Sequence, residues 1–143
     1  ESFAEPERFS QAREVLHLWP QEAFEYLGLN VAVTAGRPGR ATAVAAITHN
    51  QEIDDAAVEL GLQAGCFYVG VLGSRRTFQE RCLRLSRRGV TEEELRRVHG
   101  PIGLDIGAES PEEIALSIAA EMVREFRQSQ AESAGTPLSK GVV

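Results

Sequence analysis

Apolar positions along the chain change period from block to block, and the period in each block indicates an element. Phe9, Ala12, Val15, Leu16 and Trp19 recur at roughly helical spacing, which predicts a helix over Arg8–Leu18. Pro20 stops that helix and can open the next, with Ala23, Phe24 and Leu27 on its inner face and Gly28 beyond its end. Leu29–Thr34 reads as a short strand and Ala35-Gly36-Arg37-Pro38-Gly39 as a loop. From Thr42 the pattern sharpens. Thr42–Thr48 and Cys66–Leu72 are small, apolar and β-branched runs of the kind found in strands covered on both faces. Between them Asn50–Gln63 reads as a helix, with Ile53, Ala57, Leu60 and Ala64 on one side.

After Gly73 the helical period returns over Ser74–Arg88, with Phe78, Cys82 and Leu85 in register and Gly89 closing it. Thr91-Glu92-Glu93-Glu94 forms a capping box that opens a short helix, and Gly103–Ile106 is a candidate third strand. Ser110-Pro111-Glu112-Glu113 combines Ser at the N-cap, Pro at the first helical position and Glu at the third, a strong start signal. The helix it opens is expected to reach about Arg127, with Ile114, Ile118, Met122 and Phe126 in one row and Ala115, Ala119 and Val123 beside it. Residues 129–143 lose all periodicity and are expected to be a disordered tail after a domain over residues 1–128. Alternating strands and helices imply an α/β fold, a parallel sheet with flanking helices. Ligands bind such sheets at the carboxyl ends of the strands. That directs attention to three loops, Thr48-His49-Asn50, Gly73-Ser74-Arg75-Arg76-Thr77 and Gly107-Ala108-Glu109-Ser110.

Composition narrows the function class. The 143 residues are 43% hydrophobic and 25% charged, the balance of an ordinary soluble globule. The longest apolar runs, Ala43–Ile47 and Cys66–Leu72, fall well short of the ~18 residues of a membrane helix. The acidic start Glu1-Ser2-Phe3-Ala4-Glu5-Pro6 has no signal-peptide layout, so a cytoplasmic protein is expected. Two cysteines without CxxC or paired Cys/His spacing argue against a disulfide scaffold or a zinc module. Net charge is −6, yet eight arginines (75, 76, 81, 84, 87, 88, 96, 97) face only four glutamates between Arg75 and Arg97. One basic stretch on an acidic chain does not suit nucleic-acid binding, which rests on many phosphate contacts. Most of these arginines are expected on a solvated helix face.

Chemistry concentrates at the predicted strand ends. Gly73-Ser74-Arg75-Arg76 joins a buried strand to a helix N-terminus, where free N–H groups and the helix dipole favour an anion. Gly73 lets the backbone approach closely, Ser74 can cap or donate, and an arginine fork matches phosphate. It is not a Walker loop, since GxxxxGK[ST] is absent. In Thr48-His49-Asn50 the histidine suits a hydrogen-bond donor, an acid/base or simple local packing, and Asn50 suits a helix cap. No second His or Cys at ligand spacing supports a metal there. Asp54-Asp55 lies in the first turns of a helix, where a structural role outweighs a catalytic pair. Asp105 is the single charge in a glycine-rich apolar stretch, suited equally to ribose or pterin contact and to pairing with an arginine across a cleft. His17 and His99 are ambiguous, while Cys66 and Cys82 read as buried and inert. No Ser–His–Asp set, metal cluster or carboxylate pair assembles, which weighs against independent enzymatic turnover.

Three blocks together resemble the C-terminal domain of the XdhC/CoxI family, accessory proteins of xanthine dehydrogenase and carbon monoxide dehydrogenase. They are Thr48-His49-Asn50, the run Phe67–Thr77 (FYVGVLGSRRT), and Gly100–Ala108 (GPIGLDIGA) continuing into Pro111–Ile118 (PEEIALSI). The resemblance covers roughly Phe3 to Arg127. It implies a Rossmann-like domain of a protein that binds molybdenum cofactor. It further implies protection of that cofactor, support of its sulfuration by a cysteine desulfurase, and transfer to the apo-hydroxylase, with a homodimer as the expected assembly. The implied binding residues are Thr48, His49, Asn50, Gly73, Ser74, Arg75, Arg76 and Asp105. Asn50 departs from the family's usual Asp after Thr-His, and Leu29–Gly39 is longer than the family pattern. The family's glycine-rich βα turn and acidic strand end before the Phe3–Phe9 region are absent, as is its cysteine-bearing N-terminal domain. A Rossmann-like sheet without its first βαβ portion is therefore expected, completed by another segment or chain. The alternative from the α/β order alone is an NAD(P)-dependent oxidoreductase or nucleotide-binding domain, and a docking module whose arginines meet protein carboxylates is a third.

Overall fold

The computed structural model describes residues 14, 16–29 and 41–135. The helix expected over Arg8–Leu18, the strand over Leu29–Thr34 and the loop at residues 35–39 fall wholly or largely outside them; residues 16–18, which are described, are not helical. Pro20 opens α1 (Pro20–Tyr26) from the first helical position, and Gly28 follows it at φ +68°. The sheet has three parallel strands in the order β1 (Ala43–Ala46), β2 (Tyr68–Val71), β3 (Val98–His99). Register pairs Ala43 with Tyr68 and Ala46 with Val71, then Val69 with Val98 and Gly70 with His99. Between the strands run α2 (Gln51–Gln63), α3 (Arg75–Arg87) and the one-turn α4 (Glu92–Leu95), and α5 (Pro111–Ala134) follows β3. This is a partial Rossmann-like α/β fold.

All four residues of β2 are buried, as its apolar run requires of a strand covered on both faces. Val69 and Val71 join Val58, Leu62, Leu85 and Val98 in one core, while Tyr68 reaches the opposite face to bond α5. Gly61 of α2 lets the helix lie close on the sheet, because a Cβ there would stand 3.1 Å from Val69 and 3.2 Å from Val44.

Three expectations are corrected. The third strand is Val98–His99, not Gly103–Ile106. After Gly100-Pro101 the backbone gives its Ile102 N–H to Val71, but the Gly103 N–H goes to Glu121 and the Leu104 N–H to Ser117, both on α5. Donors committed to a helix cannot build a strand ladder. The inner face of α2 is also rotated. Asp54, Asp55, Val58 and Leu62 are buried, whereas Ile53, Ala57 and Leu60 are half-buried, because arginines of α3 receive the two carboxylates. Finally α5 runs past Arg127 to Ala134, where Gly135 caps it at φ +65°, so residues 129–134 are helical.

Candidate functional site

Parallel strands bring their carboxyl ends to one rim, where the loops after β1, β2 and β3 meet solvent. The first loop is fixed from below. The Asp54 carboxylate accepts the Thr48 N–H at 3.1 Å and the Thr48 hydroxyl at 2.8 Å. The Asn50 side chain accepts the N–H groups of Glu52 and Ile53, and so caps α2. His49 sits between them at φ +61°, a left-handed conformation uncommon for a residue with a Cβ. Its imidazole is exposed and has no hydrogen-bond or ionic partner among the described residues.

Under this loop lies a buried ion network. Arg81, 4% exposed, donates to Asp55 and stands 3.8 Å from Asp54, while Arg84 donates to both Asp55 oxygens at 3.0 and 3.3 Å. Asp54-Asp55 is therefore structural, as expected: Asp54, in the first turn of α2, holds the Thr48 loop, and Asp55 receives Arg81 and Arg84. Most of the eight arginines are exposed, as expected (75, 76, 87, 88, 96 and 97), whereas Arg81 is buried and Arg84 half-buried. The signal available in the sequence is their spacing from Phe78 and Leu85, which places Arg81 and Arg84 beside the apolar stripe of α3.

The second loop leads into α3. Ser74 is the N-cap, its hydroxyl accepting the Thr77 N–H at 3.1 Å, and Gly73 at φ +144° precedes it. Arg76 turns back along the helix to Glu80 at 3.2 Å. Arg75 instead reaches across to Asp105 at 3.8 Å, with the two side chains 85% and 90% exposed. Between them opens a cleft of about 820 Å³, bounded by Arg75, Phe78 and Gln79 of α3, by Gly100–Ala108, and by Ile114 and Ser117 of α5. Of the residues singled out in the sequence, Arg75 and Asp105 line this cleft. Thr48, His49, Asn50, Gly73, Ser74 and Arg76 belong to the same rim but not to its lining.

The glycines of the cleft wall are there for close packing. A Cβ at Gly100 would run into the Phe78 ring, and one at Gly103, which holds φ +94°, would meet the Ser117 hydroxyl. Behind the wall lies a polar cluster that sequence reasoning missed. Glu121, 6% exposed, accepts the Tyr68 hydroxyl at 2.7 Å and the Gly103 N–H at 2.8 Å on one carboxylate oxygen. Its other oxygen lies 3.4 Å from His99 Nδ1 and 3.5 Å from Arg124. The imidazole of His99 stacks on the Tyr68 ring at 4.6 Å. Burial, and then the bond to Glu121, push the Tyr68 phenol far above its ordinary range. The cluster ties β2, β3 and the cleft wall to α5. Its trace in the sequence is Ser117 and Glu121, four residues apart within the otherwise apolar stretch Ile114–Val123. Burial likewise raises the thiols of Cys66 and Cys82, which makes both poor nucleophiles. Among the described residues no group of three or more His, Cys, Asp or Glu side chains is placed to hold a metal ion, and no helix is long and apolar enough to cross a membrane.

A parallel sheet with a cleft beyond its strand ends is the arrangement in which open α/β domains take their ligands. The XdhC Rossmann domain family model matches residues 1–122, and the chain belongs to that family. It is 35% identical over 119 residues to the uncharacterized protein YqeB of Escherichia coli K12, covering 83% of this chain and 20% of that one. It is 33% identical over 98 residues to the molybdenum cofactor insertion chaperone PaoD of the same organism, covering 68% and 30%. A probable xanthine dehydrogenase subunit of Bacillus subtilis 168 is 27% identical over 119 residues, covering 81% and 30%. Among solved structures, a xanthine dehydrogenase from Bacillus halodurans superposes with a TM-score of 0.61 at 29% identity, over 87% of this chain and 32% of that one. The chain thus spans between a fifth and a third of the length of these relatives.

Proposed function

We propose that this chain is the cofactor-binding domain of an accessory protein that receives molybdenum cofactor and passes it to a molybdenum hydroxylase. The observation that carries the reading is the cleft at the ends of β2 and β3. Its volume of about 820 Å³ suits a pterin-sized ligand, its walls are largely apolar, and Arg75 stands at its mouth beside the start of α3. The cofactor is cargo here. A guanidinium fork and the helix N-terminus suit its phosphate, and Asp105 can accept N–H groups of the pterin. Membership of the XdhC family and the resemblance to a protein named as a molybdenum cofactor insertion chaperone support the same reading. Ser74 and Gly73 shape the start of α3, and Thr48, His49 and Asn50 supply the neighbouring rim, with His49 the group left free to meet ligand or partner. The recipient is an apo-enzyme of the xanthine or carbon monoxide dehydrogenase type, and a cysteine desulfurase supplies sulfur while the cofactor is held.

The test is an anaerobic titration of the full-length protein with molybdenum cofactor and, separately, with NADPH, each followed by absorbance. The reading expects saturable cofactor binding that Arg75→Ala weakens by about tenfold, the value of one charge-assisted contact. NADPH binding without cofactor binding would replace it with the oxidoreductase reading.

A further inference from the structure

The segment that walls the cleft is held to the body of the domain by successive backbone donors. The Ile102 N–H goes to the Val71 carbonyl and the Leu104 N–H to the Ser117 carbonyl, both main-chain acceptors. Between them, the Gly103 N–H goes to a side chain, the Glu121 carboxylate, at 2.8 Å. A Cβ at Gly103 would meet the Ser117 hydroxyl, so this point of the wall lies directly on α5. His99 leads into the wall, and its Nδ1 faces the other oxygen of the same carboxylate at 3.4 Å. One buried acid thus holds the wall at its start and at its middle.

The two states of the His99 ring suit this setting differently. Nδ1 faces Glu121, and Nε2 faces Glu125 at 4.0 Å. A neutral imidazole carries one N–H and one lone pair, so it must turn a lone pair on one of these carboxylates; the imidazolium presents an N–H to both. Among the described residues, the charged and titratable groups around the ring are Glu121, Arg124 and Glu125 of α5 and Tyr68 of β2, whose ring lies 4.6 Å away. The nearby Arg97 is turned to the Cys66 carbonyl. Arg124 lies 3.5 Å from the Glu121 oxygen, but it is half in solvent and shared with Glu125 at 2.9 Å. Charge on His99 therefore decides how fully Glu121 is compensated, and a buried carboxylate keeps its place only while it is compensated.

We propose that the cleft wall is a proton-sensitive clamp: the imidazolium of His99 anchors Glu121, Glu121 anchors Gly103, and the wall so fixed holds the ligand of the cleft more firmly. Loss of the proton leaves Glu121 with the shared Arg124 alone, admits water to the carboxylate and loosens the Gly103 bond. His99 and Glu121 are positioning residues, since neither lines the cleft. Control of cofactor binding by this clamp rests on the function proposed above. The clamp itself belongs to the wall of the empty protein and stands apart from that reading. Histidine ordinarily changes charge between about pH 5 and 8, so the cleft grips its ligand on the acidic side of that interval and releases it more readily on the alkaline side.

Amide hydrogen exchange of the ligand-free full-length protein, read by NMR and corrected for intrinsic exchange, tests the clamp. Protection of the Gly103 amide, relative to Ile102 and Leu104, is expected to fall by about tenfold from about pH 5 to 8, the worth of one charge-assisted contact. His99→Asn keeps an N–H for Glu121 but carries no charge, and should flatten the profile. Glu125→Gln offers the neutral ring an N–H in place of a carboxylate and should shrink the step; it touches neither Gly103 nor Tyr68, so it serves if His99→Asn fails to fold. Titration with molybdenum cofactor gives the second readout. The ratio of wild-type to His99→Asn affinity should fall by about tenfold over the same interval, and the cofactor's phosphate, which gains charge as pH rises, cancels in that ratio. Gly103 protection that is constant with pH in the wild type, or that changes equally in both variants, overturns the proposal, and so does a constant affinity ratio beside a pH-dependent wall. A pH-dependent wall in a protein that binds no cofactor would support the clamp and refute the cofactor reading, whereas a constant wall in a protein that binds it would do the reverse.

Discussion

Removing Asp55 tests whether the buried ion network is what holds α2 and α3 together beneath the rim. Asp55 accepts hydrogen bonds from both Arg81 and Arg84, and its side chain is 3% exposed. In Asp55→Ala, Arg84 at 27% side-chain exposure can turn toward water, but Arg81 at 5% cannot. Arg81 keeps only Asp54, at 3.8 Å. Breaking a buried pair by removing one partner costs about 3–5 kcal/mol, and the remaining Asp54 argues for the lower end. A loss of about 3 kcal/mol in a domain of this size lowers Tm by roughly 6–12 °C. Urea unfolding followed by far-ultraviolet circular dichroism gives the free energy directly, and Arg84→Ala should cost about 1 kcal/mol as the exposed-partner control. A loss below about 1 kcal/mol for Asp55→Ala would refute the claim that Arg81 depends on it.

Other predictions concern the cleft wall and its backing. Gly100→Ala should destabilise by about 2 kcal/mol or more, since the new methyl occupies the place of the Phe78 ring, and should weaken cofactor binding in the same titration. Tyr68 stays protonated in the folded protein while its unfolded form ionises near its ordinary pKa of about 10. Stability from this group is therefore complete below about pH 10 and is lost as pH rises above it. Chemical denaturation on the alkaline side should show that slope in the wild type and a shallower one in Tyr68→Phe. Equal slopes would mean that the phenol is not held by burial and Glu121.

How much was legible in the sequence follows from where the deciding forces act. Local signals read correctly: Pro20 and the Ser110-Pro111-Glu112-Glu113 start open helices where expected, Thr91 caps α4, and the runs ending at Thr48 and Leu72 contain β1 and β2. Misreadings arose where one element answers another across space. Gly103–Ile106 has the composition of a strand, but the N–H groups of Gly103 and Leu104 are taken by α5, farther along the chain than any local rule reaches. Asp55 looks like a solvated carboxylate near a helix start until Arg81 and Arg84 are brought over it. The candidate site was half legible. Arg75 was picked out by its place at a helix start after a buried strand and Asp105 as the single charge in an apolar stretch, and they face each other across the cleft. Glu121 and His99 were not, because a glutamate in a helix gives no sign that it will be buried against a tyrosine hydroxyl.

On the proposed function, molybdenum cofactor rests in the cleft between the start of α3 and Gly100–Ala108. A crystal structure of the full-length protein with the cofactor bound tests it most directly. Ligand density is expected in that cleft, with the Arg75 guanidinium on the phosphate and the Arg75–Asp105 contact exchanged for contacts to ligand. Density at another surface, with the Arg75–Asp105 pair intact and the cleft filled by solvent, would contradict it.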